Sequence, residues 1–293
     1  MKSKKNTLKI KSRTMKKGGS KTIEKSIKNY LNNLNVIIEN NSLKKECNKI
    51  NGLNKRNYCP CYLFDPNKKI FCDLIHQYYK ENPQKIPKII HQIWIGSKKR
   101  PDKWLNTFRE YAKKNGWEYH LWDEDKISKL KMINQIQYHK EPSYHGKADI
   151  LRHELLYKYG GIYVDADSAL TGNKDLNDVI TQCNNLGFFT AKECVNCGNG
   201  VASGVLGSTK KNYITEYIIK CISKLCNCKN VMPYQNIGPY MLDQCLEGLN
   251  ISIYPYYYFY PKYWHEDLLD EDISQYKDSY MFQYGYTTNQ LKL

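Results

Sequence analysis

The stretch GKADILRHELLYKYGGIYVDADSAL, residues 146–170, constrains this chain more than any other. A helical pattern rich in charge runs into Gly160-Gly161, and an apolar strand, Ile162, Tyr163 and Val164, then delivers Asp165 and Asp167. Side chains two apart in a strand face the same way, so both carboxylates fall on one side of the chain and Ala166 points away. Carboxylates this close repel and raise each other's pKa unless a cation neutralises them. A hard divalent ion, Mg²⁺ or Mn²⁺, meets that need and keeps positions open for water or phosphate oxygens. The pair therefore reads as a clamp for a metal–diphosphate. A surface turn with two capping aspartates is the plainer alternative.

The preceding helix adds to the case. Asp149 and Arg152 stand three residues apart on one helix face, with Ile150, Leu151, Leu155 and Leu156 available for packing. An exposed pair at that spacing is worth little. The helix, however, ends at Tyr159 with Gly160 available as a left-handed cap, and the strand follows at once. Asp149, Arg152 and the aspartates can then approach one cavity, with Tyr163 on the same strand face as Asp165. A carboxylate and a guanidinium suit sugar hydroxyls, which they hold by charge-assisted hydrogen bonds.

Around this stretch, strands and helices alternate. KIIHQIWIG (88–96) reads as the first core strand, and a helix from about Pro101 stops at Gly116. WEYHLWDE (117–124), LGFFTAKE (186–193) and GVASGVLGS (200–208) read as further strands, and KNYITEYIIKCISKL and IGPYMLDQCLEGL as helices. The order predicts an α/β fold with a sheet covered on both faces. IYPYYYFYPKYW is too rich in Pro and Tyr for a central strand. Residues 1–85 read as a basic arm to about residue 20, a helical extension over Ile23–Ile38, and a linker or capping element ending at Pro83 and Pro87. The compact domain is expected over 86–293.

Charge is uneven. Residues 1–30 hold eleven Lys or Arg against the single Glu24, a net of +10 out of +16 for all 293 residues. Such an arm suits an anionic partner or serves as a solubilising tail. With no span-length apolar run and no signal-peptide pattern, the expected setting is cytoplasmic and without a transmembrane anchor. The eleven cysteines include close pairs at Cys59/Cys61, Cys194/Cys197 and Cys226/Cys228. The last two pairs invite a zinc site, with free thiols as the alternative.

KADILRHELLYKYGGIYVDAD closely resembles the DXD-motif region of the family 32 glycosyltransferases, which resemble yeast mannan-initiating mannosyltransferases and are related to α-1,4-galactosyltransferases and clostridial glucosylating toxins. IPKIIHQIWIG, YHLWDE, NGVASGVLGS and NIGPYMLDQCL look like the family's successive blocks, so the resemblance runs over roughly residues 86–250. It implies a GT-A type sandwich with a mainly parallel sheet, a UDP- or GDP-hexose donor, a glycan or protein acceptor, Mn²⁺ or Mg²⁺, and transfer with retention of configuration. Carried over, Trp94 flanks the donor base, Asp149 and Arg152 hold sugar hydroxyls, and Tyr163 sits beside sugar or ribose. Asp165 contacts ribose or sugar and the metal's water shell, Asp167 ligates the metal directly, and Asn199 reaches the donor sugar or the acceptor side. Many members close the site with a C-terminal His- and Trp-containing block. Here YMFQYGYTTNQLKL has neither, which leaves the third protein ligand open, with Thr287, Thr288 and Asn289 as oxygen-bearing substitutes.

Two rivals remain. A catalytically degenerate transferase domain, basic and nucleic-acid-associated or structural, would account for the arm and the altered C-terminus. A HAD-type phosphohydrolase also places Asp-x-Asp after a strand. It wants Thr or Val where Ala169 stands, and EDLLDED (266–272) lacks a strand to carry its later acidic pair.

Overall fold

The computed structural model describes residues 19–34, 37–39, 62–194, 200–225, 236–262 and 268–286. Cys59, Cys61, Cys197, Cys226, Cys228, Asn199, Thr287, Thr288, Asn289 and most of the basic arm lie outside them. The N-terminal part gives α1 (Ser20–Asn32), β1 (Ile37–Glu39), β2 (Tyr62–Phe64) and α2 (Lys68–Glu81). Next come β3 (Ile89–Ile93), α3 (Asp102–Asn115), β4 (Glu118–Trp122), the short helices α4 (Glu124–Ser128) and α5 (Gln135–Lys140), and the long α6 (Tyr144–Tyr159). β5 (Gly161–Val164) and β6 (Ser168–Leu170) precede α7 (Leu176–Gln182), β7 (Phe188–Ala191), β8 (Val205–Ser208) and α8 (Tyr213–Leu225). The chain then forms α9 (Pro239–Leu246), β9 (Ser252–Tyr254) and β10 (Met281–Gln283).

Six strands form the central sheet in the order β4-β3-β5-β8-β7-β9. β3–β4, β3–β5 and β7–β9 pair parallel, while β5–β8 and β7–β8 pair antiparallel, so the sheet is mainly parallel as expected. Alternation along the strands divides the core in two. Ile162, Val164, Phe189 and Val205 pack with Phe108 and Ala112 of α3 and Leu176 and Val179 of α7. Tyr163, Phe188 and Leu206 face the other way, onto α1, α2, α6, α8 and α9. Both faces are covered, which is why the strand residues read as continuous apolar runs rather than as alternating ones.

Local chemistry fixes the element ends next to the site. The Ser143 hydroxyl accepts the Gly146 N–H at 3.0 Å and caps α6. Gly160 and Gly161 take φ of 72° and 104°. A Cβ at Gly161 would stand 2.5 Å from the Ile89 carbonyl oxygen, so the chain can turn against β3 only as glycine.

Two expectations change. The stretch read as a linker or capping element is neither a loose connection nor a mere cover: it contains α2, whose Phe71, Cys72, Leu74, Ile75 and Tyr79 are buried in the main core. The Tyr-rich tail, read as unfit for a central strand, enters the sheet through β9 at its edge, in keeping with that reading. Pro101 is the N-cap residue of α3 rather than part of its first turn. Among the described residues, no helix is long and apolar enough to cross a membrane. Cys194 is disulfide-bonded, which removes it from the zinc set considered above.

Candidate active site

Asp165 and Asp167 do not sit in a strand, as their alternation led one to expect. They lie in the turn between β5 and β6, closed by the Ser168 N–H donating to the Asp165 carbonyl at 3.2 Å. Their convergence has another cause. β10 pairs antiparallel with β6, Gln283 opposite Ser168, and the Tyr284 N–H donates to the Asp167 carbonyl at 2.8 Å. That register places Gln283 Nε2 3.0 Å from Asp165 Oδ2 and 3.5 Å from Asp167 Oδ1. One amide nitrogen thus serves both carboxylates.

Arg152 organises the other side. Both it and Asp149 are only 6% exposed, so their pair is not the surface ion pair that spacing alone would permit. Arg152 Nη2 lies 3.1 Å from Asp149 Oδ1 and 3.6 Å from Asp165 Oδ1. Nη1 donates to the Ser203 carbonyl and Nε to the Ala148 carbonyl at 3.3 Å. The guanidinium stands 4.7 Å from the Tyr163 ring centroid, and the Tyr163 hydroxyl donates to Asp165 Oδ1 at 2.7 Å. Gln92, fully buried, donates to the Asp165 carbonyl at 3.2 Å and accepts from the Tyr119 hydroxyl at 2.9 Å.

Burial pushes the Asp149 carboxyl up to about 6; Arg152 pulls it back and the charge of Asp165 adds to the rise. Burial likewise raises the Tyr163 phenol well above its ordinary value, so it stays a neutral donor. For Arg152 burial works the other way, but Tyr163, Asp149 and Asp165 outweigh it and hold the guanidinium charged.

Asp149, Arg152, Tyr163, Asp165 and Asp167 are therefore brought together. Trp94 stands apart from this hydrogen-bonded set. It packs against the cluster of Leu105, Leu121 and Ala166, donates Nε1–H to the Lys98 carbonyl at 3.2 Å, and stacks on Tyr286 with centroids 6.0 Å apart. Asn199 lies outside the described residues. Sequence reasoning missed Gln283 and Gln92. The only sign of Gln283 was an amide in the aromatic run Tyr280–Tyr284, and Gln92 was a polar residue in the middle of a core strand.

Residues 101–186 match the family model described as "glycosyltransferase sugar-binding region containing DXD motif". The resemblance to DXD-motif glycosyltransferases is thus borne out. Inositol phosphoceramide mannosyltransferase 1 of Schizosaccharomyces pombe is 36% identical over 92 residues, covering 29% of this chain and 28% of that protein. Uncharacterized glycosyltransferase L373 of Acanthamoeba polyphaga mimivirus is 34% identical over 144 residues, covering 46% of this chain and 55% of that one. The chain therefore spans about half or less of the length of these curated relatives. Among solved structures, the PaToxG glycosyltransferase aligns with a TM-score of 0.44 at 20% identity, over 62% of this chain and 79% of its own. A glycosyltransferase involved in glycosylation of the major capsid of PBCV-1 aligns with a TM-score of 0.43 at 15% identity, over 67% and 92%.

Proposed function

We propose that this chain is a metal-dependent glycosyltransferase that moves a hexose from a UDP- or GDP-sugar to a glycan or protein acceptor, with retention of configuration. The observation that carries the reading is Arg152, buried and tied to both Asp149 and Asp165 beside an acidic turn whose two carboxylates share one donor. The match of residues 101–186 to the DXD sugar-binding model supports it.

The donor set fits a hard divalent cation. Asp165 and Asp167 both turn a carboxylate oxygen to the Gln283 nitrogen, and among the described residues no third His, Cys, Asp or Glu joins them, so the set is two hard oxygen donors with no softer ligand. These two aspartates would hold Mn²⁺ or Mg²⁺. When bound, the ion neutralises charge on the diphosphate leaving group.

The chain's own residues do the rest. Arg152 and Asp149 grip sugar hydroxyls, one as donor and one as acceptor. The Asp149 carboxylate, ionised above about pH 6, faces the positive charge that builds at the anomeric carbon as the bond to diphosphate breaks. Tyr163 fixes Asp165 Oδ1, leaving Oδ2 for the ligand side once Gln283 yields. Trp94 flanks the base, and Asn199 serves the donor sugar or the acceptor. Attack comes from the same face as departure, since among the described residues no second carboxylate is set as a nucleophile.

Asp167→Asn tests the reading. It is expected to abolish hydrolysis of UDP- or GDP-hexoses and the Mn²⁺-dependent rise in melting temperature with UDP or GDP. Turnover at the wild-type rate in that variant would remove the metal role.

A further inference from the structure

Tyr260 has no part in the network above, yet it borders it. It is 9% exposed, and its hydroxyl is buried without a hydrogen-bond partner. The residue is held in place from behind: its N–H donates to the Tyr256 carbonyl at 2.7 Å, and its ring belongs to the core cluster with Tyr254, Phe259 and Val205. A buried donor left unpaired is unfavourable, and natural folds seldom keep one without a use.

The hydroxyl points to the backbone beneath the acidic turn. A Cβ built on Gly204 would lie 2.6 Å from Asp165 Oδ2, 2.9 Å from the Tyr260 hydroxyl and 3.1 Å from Gln283 Oε1. Three polar atoms from separate parts of the chain converge over one residue that has no side chain. Gly204 is not at positive φ, so its backbone conformation does not call for glycine; the crowding does. Its carbonyl accepts the Asp165 N–H at 2.9 Å, and its neighbour Ser203 accepts from Arg152, which makes residues 203–204 the floor of the site.

We infer that Tyr260 is a specificity-determining residue of the donor site: its hydroxyl donates to one hydroxyl of the transferred sugar and that hydroxyl donates to Asp165, at a point where any side chain on residue 204 would collide with both. The inference deepens the glycosyltransferase reading and rests on it. The chemistry favours an alcohol. Burial, reinforced by the charges of Asp165 and Glu193, holds the phenol well above its ordinary pKa, so it keeps its proton and must find an acceptor. Asp165 is an acceptor only, and beyond the bonds it takes from Tyr163 and Gln283 it has lone pairs left for a donor on the same ligand. A sugar hydroxyl offers both a lone pair and a proton. A phosphate oxygen offers no proton and would add negative charge beside two carboxylates.

Tyr260→Phe removes the hydroxyl alone. Without ligand its melting temperature is expected to equal or exceed that of the wild type, because a buried unpaired group is gone. UDP-glucose, UDP-galactose and GDP-mannose are assayed for hydrolysis, and then the 2-, 3-, 4- and 6-deoxy analogues of the donor that turns over. In the variant, kcat/KM for the parent donor should fall about tenfold, the size of one hydrogen bond to a buried group. For one deoxy analogue alone, wild type and variant should be equal. Gly204→Ala should weaken binding of that nucleotide sugar more than binding of UDP or GDP alone. A lowered unliganded melting temperature, the same loss across all analogues, or equal weakening in Gly204→Ala overturns the inference. Wild-type turnover with Tyr260→Phe indistinguishable from it sinks the inference alone. A wild type that turns over no nucleotide sugar removes the transferase reading, and the inference with it.

Discussion

A guanidinium and three aspartates gathered in a mostly buried space are stable only when each finds its partners. Arg152 answers Asp149 and Asp165, Tyr163 completes Asp165 Oδ1, and the Gln283 amide spans Asp165 and Asp167. Removing Arg152 leaves Asp149 buried without a countercharge, so Arg152→Ala should cost about 3–5 kcal/mol in urea unfolding. Gln283 is more informative, because the pair it serves is the pair assigned to the metal. Gln283→Glu replaces a shared donor with a third negative charge. In EDTA the variant should melt below the wild type, since like charges now face one another. In Mn²⁺ the added oxygen ligand should make the metal-induced rise larger than in the wild type. Melting curves in the two buffers check both halves. Equal melting in EDTA would show that the Gln283 amide does not bridge the pair.

At the scale of elements, β3 carries a titratable group in the middle of the sheet. His91 is fully buried; Nε2 lies 2.8 Å from the Gly160 carbonyl oxygen, and Nδ1 accepts the Trp122 Nε1–H at 3.1 Å. Both nitrogens are used by the neutral ring, so His91 ties the end of α6 to β4. Burial pushes its pKa from 6.5 down to about 4. The folded state therefore binds fewer protons there than the unfolded chain. Its contribution is complete above pH 6.5 and fades as pH falls through about 4, roughly 3 kcal/mol in all. His153, lowered to about 3 by burial and by Arg152, acts in the same direction. Asp149 opposes them, because its raised pKa favours the folded state in acid and that gain is lost above about 6. Urea unfolding at pH 7 and pH 4.5 should therefore differ less in His91→Gln than in the wild type. An unchanged difference would place the acid sensitivity elsewhere. This element also shows how far sequence could be read. β3, α3, α6 and β5 were legible because their periods and terminal glycines are local. Asp149 and Arg152 were legible as a pair, but their burial was not, since a surface helix shows the same spacing. α2 was hidden because Pro66 and Pro83 frame it like a linker, and its apolar face acquires meaning only against α1 and α8. Gln283 meets Asp165 across 118 residues, a separation that no local pattern encodes.

Across the whole molecule, the N-terminal region joins two unlike pieces within its first 34 residues. Residues 1–18 carry eight Lys or Arg and no acid, half of the chain's net charge of +16. Immediately after them, α1 buries Ile23, Ile27 and Leu31 in the core shared with α2, α6 and α8. Tyr30 stacks on Phe71 at 5.2 Å and donates to Asp65, and the Tyr213 hydroxyl donates to Glu24 at 3.0 Å. Two truncations should therefore behave in opposite ways. Deleting residues 1–18 should leave the melting temperature and donor hydrolysis unchanged, while salt-sensitive retention on an anionic resin weakens. Deleting residues 1–34 also removes three buried aliphatic side chains, each worth about 2–5 kcal/mol, from a fold whose total stability is of order 5–15 kcal/mol. That loss is large enough to take the whole domain with it, so the shorter chain should show no cooperative melting and no hydrolysis. If it melted like the full chain, α1 would be an appendage rather than part of the core. If the loss of residues 1–18 alone abolished hydrolysis, the basic arm would belong to the active site.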